Sequence, residues 1–149
     1  VFPRHREMRV LMACALAHAL LAQVVPWPWG VPNLTLVGVV LAICRAPAQW
    51  PLVSALAGLF ILPWAIRFPT QLVLGYLACG GLVHGLATQW DTDEGRIQSV
   101  LVLVVSSGMT FGALWLEELT SLPLIGLALI HVALTTLSVP VMRRLWLPR

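Results

Sequence analysis

From Val10 to Trp90 the chain carries only two charged side chains, Arg45 and Arg67, and from Ile97 to Met142 only Glu117 and Glu118. A water-soluble domain has about 25% charged residues spread over its surface; here the charged share is 10%, gathered at the ends and in a few short connections. No face of such a chain can be clothed in charge, so the solvent it suits is lipid. With 59% hydrophobic residues and a mean hydropathy of +0.89, the sequence predicts an all-α polytopic membrane protein. Almost no polar sequence remains for a second unit, and a single transmembrane domain over residues 1–149 is expected.

The nine positive residues are all arginines, and their placement predicts an orientation. Arg4, Arg6 and Arg9 precede the first apolar stretch, and Arg143, Arg144 and Arg149 follow the last. Six crossings between them bring Arg45 and Arg96 to that same side and leave Arg67 opposite. Short positive loops stay in the cytoplasm during insertion, so both termini are predicted inside. The pI near 9.2 then reflects orientation and contact with anionic lipids rather than nucleic-acid binding. The first apolar segment, Met8 to Val25, is followed by Pro and Trp instead of a small-residue cleavage site, and reads as a span rather than a signal. Cys14, Cys44 and Cys79 are odd in number and lie in apolar runs, which predicts buried free thiols and no disulfide framework.

Six apolar segments are expected: Arg9–Val25, Leu34–Cys44, Trp50–Ile66, Thr70–Trp90, Ile97–Leu116 and Leu122–Met142. The second is too short to cross alone, since a helix rises only about 1.5 Å per residue against a hydrocarbon core of about 30 Å. The Pro/Trp-rich run Pro26–Asn33 before it must therefore dip into the bilayer, or the bundle must thin it locally. Pro63 should kink or end segment three, and Pro140 lies near the end of segment six. Trp27, Trp29, Trp64 and Trp115 are expected at the outer interface, and Trp50, Trp90 and Trp146 at the inner one, forming aromatic belts.

Small residues four apart mark faces on which helices approach closely. Segment four carries Gly81 and Gly85, with Gly75 and Ala78 near the same stripe; segment five carries Gly108 and Gly112; segment three has Ser54 and Gly58. Packing inside the bundle is the plainer reading. Docking of a partner's transmembrane helix on the Gly81/Gly85 or Gly108/Gly112 face is the functional one. Glu117 and Glu118 end segment five at the outer surface, where carboxylates oppose the negative end of the helix dipole. Arg67 is the expected internal counterion, and a basic residue on an extracytoplasmic partner is the alternative.

Catalysis and cofactor binding find little support. His18, His84 and His131 lie in segments one, four and six, no two on one helix at coordinating spacing, so neither haem nor a metal is implied. No Asp, Glu or Lys lies within a segment to relay protons or cations. Ser106 and Ser107 with His131 suggest an intramembrane serine dyad only loosely, because no oxyanion donor is evident. The run Asp91–Arg96 suggests a phosphatidyltransferase metal motif, but those enzymes need a second acidic run that this chain lacks. A solvated turn beside a helix start explains that loop, and a non-enzymatic protein is expected.

The runs Leu20-Leu21-Ala22-Gln23-Val24-Val25-Pro26-Trp27-Pro28 and Val31-Pro32-Asn33-Leu34-Thr35-Leu36, followed by a short apolar segment, resemble the rod-shape-determining membrane protein MreD family. The resemblance extends over essentially the whole chain in length, hydrophobicity and segment pattern. The family pattern carries over to Pro32 and Asn33, where proline fixes the entry geometry and asparagine can cap the short helix. After Gly58 the chain departs from it, with Leu59–Trp64 lacking the acidic residue the family often has there. The resemblance implies a non-catalytic scaffold of the bacterial cell-elongation machinery in the cytoplasmic (inner) membrane. Such proteins bind the single-pass protein MreC and help position MreB filaments and the enzymes of peptidoglycan synthesis. It also implies a bundle like the substrate-binding subunits of energy-coupling-factor transporters, which supplies the alternative: a membrane subunit that binds a small molecule near its outer face.

Overall fold

The computed structural model describes residues 5–25, 30–62, 69–119 and 121–146, with side chains from residue 8 onward save that of Pro69. Every regular element among them is helical: α1 (His5–Val24), α2 (Leu34–Arg45), α3 (Trp50–Ile61), α4 (Pro69–Ala87), α5 (Gly95–Leu116), α6 (Leu122–Leu137) and α7 (Val139–Trp146), with a 3-10 turn, Pro47–Gln49, between α2 and α3. Three helical stretches are long and apolar enough to cross a membrane: Thr70–Ala87, Gly95–Leu116, and Leu122–Trp146 taken through the junction of α6 and α7. Shorter apolar helices run over Met8–Val24, Leu34–Arg45 and Pro47–Ile61.

Burial runs in the sense a lipid-solvated bundle requires. Large apolar side chains are exposed on every helix except α2, among them Leu16, Leu20, Leu59, Leu74, Leu103, Val104, Trp115, Leu129, Ile130 and Leu145. A soluble monomer rarely exposes apolar surface on this scale. Thr35, Ser54, Gln98, Ser106, Thr110 and Thr135, by contrast, are buried.

The core is built around α2. Thr35 through Cys44 are all buried, and α2 touches each of the other six helices. A helix apolar on all sides belongs at the centre of its bundle, and the unbroken run Leu36–Cys44 has no polar face to turn outward. At 12 residues it is about 18 Å long, so its ends fall at different depths of the longer helices around it. Its C-terminal carbonyls are tied into the 91–94 loop, where the Thr92 hydroxyl donates to Cys44 O at 3.2 Å. Gln98 Nε2 holds Thr92 O at 2.7 Å, and Arg143 Nη2 holds Asp93 O at 2.6 Å.

Several boundaries differ from those the sequence suggests. Segment six is two helices, because Pro140 has no N–H to offer Thr136 O; α6 ends as Ser138 N–H reaches Leu134 O at 3.1 Å, and α7 restarts at once. Trp146, expected in the inner aromatic belt, is 2% exposed and belongs to the hydrophobic core. Trp115 is 78% and Trp90 43% exposed, as lipid-facing or interfacial residues should be. Cys14, Cys44 and Cys79 are buried free thiols. Arg4, Trp27, Trp29, Pro63, Trp64, Arg67 and Arg149, the rest of the Pro26–Trp29 run and the side chain of Arg6 lie outside the described residues.

Candidate functional site

Pro32 and Asn33 stand where the chain enters α2, and Asn33 gathers side chains from two other helices. Its Oδ1 accepts the Leu36 N–H at 3.0 Å, which caps the helix. A backbone N–H can only donate, so it is the amide oxygen that faces this point, and the Tyr76 hydroxyl of α4 donates to the same atom at 3.1 Å. The Asn33 backbone N–H donates to Thr135 Oγ1 of α6 at 3.0 Å, and the Thr135 hydroxyl donates onward to His131 O at 2.8 Å. Beside them His18 Nδ1 of α1 and Thr35 Oγ1 share a hydrogen bond of 3.1 Å. Tyr76, Thr35 and Thr135 are fully buried. Four helices thus meet through side chains whose hydrogen bonds are made within the cluster, the condition for carrying polar groups in an apolar interior.

The cluster lies at one depth. Counted along each helix toward Arg45, Ala87, Trp146 or His5, Thr35 of α2, Tyr76 of α4, Thr135 of α6 and His18 of α1 are all about 15–20 Å from those ends. Sequence reasoning found Asn33 through its capping position and passed over Tyr76, the chain's only tyrosine. A lone phenol in an apolar segment is the signal that was available, because a buried O–H needs an acceptor.

The candidate partner-binding glycines divide into two groups. An added Cβ at Gly81 would meet the Trp50 ring at 3.5 Å, so this residue packs inside the bundle. At Gly85, Gly108 and Gly112 it would meet nothing within 4 Å among the described residues, unlike Gly81. Close helix approach is instead made by Gly80, where a Cβ would overlap Ser54 Oγ, by Gly58, where it would stand 3.0 Å from the Val73 backbone, and by Gly38 against Cys14. Ser54 and Gly58 therefore do serve the α3–α4 contact, joined by a glycine that the spacing of four had not marked. On α5 the open glycines fall in line with exposed Val100, Val104 and Trp115, at helical intervals of three or four.

Glu117 and Glu118 close α5. Leu119 N–H bonds Leu114 O at 2.9 Å and Glu118 N–H bonds Trp115 O at 3.1 Å, the paired bonds of a Schellman ending. Glu118 takes the left-handed position of that motif at φ 56°, normally occupied by glycine. Both carboxylates thus emerge where α5 stops, Glu117 half-buried and Glu118 exposed.

The remaining candidates show ordinary structural roles. Ser106 and Ser107 hydroxyls donate to Leu103 O at 3.3 and 2.7 Å, and His84 stacks on Trp50 with ring centroids 5.9 Å apart. Among the described residues no three His, Cys, Asp or Glu side chains come together to hold a metal ion. In comparison with known proteins, no family model, curated protein or solved structure matches the chain.

Proposed function

We propose that the chain is a non-catalytic scaffold of the MreD type in the bacterial cytoplasmic membrane, crossing six times with both termini inside and holding a single-pass, MreC-like protein against its exterior. In this reading α6 and α7 form one crossing, and the short α2 is carried at the centre of the others. The observation that supports it best is the α5 face. Among the described residues Gly108 and Gly112 have no neighbour within 4 Å of an added Cβ, and exposed Val100, Val104 and Trp115 frame them. A helix laid there would gain close backbone contact, the main attraction available between helices in lipid. Glu117 and Glu118 at the outer end of the same helix offer charge to a basic residue of the partner. Through that partner the protein would act with MreB filaments and the enzymes of peptidoglycan synthesis, supporting cell shape.

The small-molecule-binding alternative, on a bundle like that of energy-coupling-factor subunits, needs polar groups converging on a ligand. The polar groups at the bundle centre are bonded to one another instead, which favours the scaffold. The test is co-purification of the MreC-like partner with Gly108→Leu and Gly112→Leu chains. Loss of the partner from chains that still insert supports the reading; recovery equal to the unaltered chain overturns it for this face.

A further inference from the structure

Where the first turn of α5 meets α7, a cleft of about 630 Å³ opens between Glu94, Gly95, Arg96, Ser99, Val139, Pro140 and Arg143. That volume is in the range of small-molecule sites. Arg96 of α5 and Arg143 of α7 line it, together with apolar Val139 and Pro140. Arg143 is fixed in place: Nη2 bonds Asp93 O at 2.6 Å, and its guanidinium lies against Gly95 so closely that a Cβ there would overlap Nη1. Among the described residues neither Arg96 nor Arg143 forms an ion pair; Glu94 also lines the cleft, and Asp91 and Asp93 lie exposed in the same loop. The cleft stands toward the end of two stretches long and apolar enough to cross a membrane.

We infer that this cleft binds a phosphate ester, held by Arg96 and Arg143, with Val139 and Pro140 against the carbon skeleton. Guanidinium groups match phosphate oxygens in geometry as well as charge. The first turn of α5 adds N–H donors, since Glu94 at its N-cap makes no side-chain bond to them. The phosphate comes either from an anionic lipid of the surrounding leaflet or from a soluble ester. The inference rests on α5 and α6–α7 crossing the membrane, and not on the protein partner.

Native mass spectrometry of the full chain in detergent tests it, with phosphatidylglycerol, phosphatidylcholine of the same acyl chains, and glycerol 3-phosphate as probes. One equivalent of phosphatidylglycerol should be retained in preference to phosphatidylcholine. Arg96→Gln should weaken it about tenfold or more, as expected for a lost bond to a charged group. Gly95→Ala, which displaces the Arg143 guanidinium while keeping its charge, should weaken it too, whereas Arg45→Gln should not. The same pattern with glycerol 3-phosphate alone would assign the site to a soluble ester. Equal retention of the two lipids without glycerol phosphate binding, or equal losses in Arg45→Gln and Arg96→Gln, overturns the inference. The Arg96 side chain makes no hydrogen bond or ion pair within the described residues, so its variant should fold and decide the matter even if an Arg143 variant does not.

Discussion

Asn33 caps α2 with the same oxygen that accepts the Tyr76 hydroxyl, and its backbone N–H is spent on Thr135. Asn33→Ala therefore removes a cap and an acceptor of a buried phenol, and should cost about 2–3 kcal/mol of stability. Asn33→Asp keeps an acceptor for both donors and should lose less; thermal unfolding in detergent ranks the two. Tyr76→Phe should cost about 0.5–1.5 kcal/mol, and combined with Asn33→Ala it should add little, because both remove the same bond. Glu118 works in the opposite sense. Its left-handed backbone at φ 56° burdens a residue with a Cβ by roughly 1–2 kcal/mol, so Glu118→Gly should raise the unfolding temperature. If the carboxylate serves a partner, the same variant should recover less of that partner, and a more stable chain that binds fully would separate the two roles. At this scale the sequence was partly readable: Pro32 and Asn33 stand out by local chemistry, whereas their tie to Tyr76 depends on helix depth, which local spacing does not encode.

Among the helices, α2 is the one that lipid barely touches, and the glycines show how its neighbours close around it. Gly80→Val would drive a side chain into Ser54 and should destabilise the bundle by about 1–3 kcal/mol. Gly108→Leu enters open space and should leave the unfolding temperature unchanged or slightly raised, since leucine is the better helix former. The two melting curves side by side check the division between internal and outward glycines. Most segment ends were legible because charge and Pro/Gly punctuation mark them; α2 begins at Leu34 as expected and reaches Arg45, one residue past the expected end. The small-residue rule, however, marks close approach without saying which side of a helix is involved, so it pointed to Gly108 and Gly112 but missed Gly80. Trp146 was misplaced for a related reason. Indole suits both an interface and a core, and only the turn into α7 puts this one inside.

At the scale of the molecule, an apolar exterior and a hydrogen-bonded polar centre make a bundle suited to lipid, with the proposed orientation resting on the arginines. Ser121 and Asp93 are both exposed and lie at opposite ends of α5 and its flanking turns. A cysteine at position 121 should react with an impermeant thiol reagent in intact cells, and one at position 93 only after the membrane is opened. Cys14, Cys44 and Cys79 are at most 9% exposed and should give little background in that assay. The central claim, that this bundle works by holding another membrane protein, is tested most directly by native mass spectrometry of the chain drawn gently from its own membranes. The account predicts a complex heavier than the 16.3 kDa chain by one single-pass protein. A bare chain that instead retains a vitamin-sized molecule would contradict it.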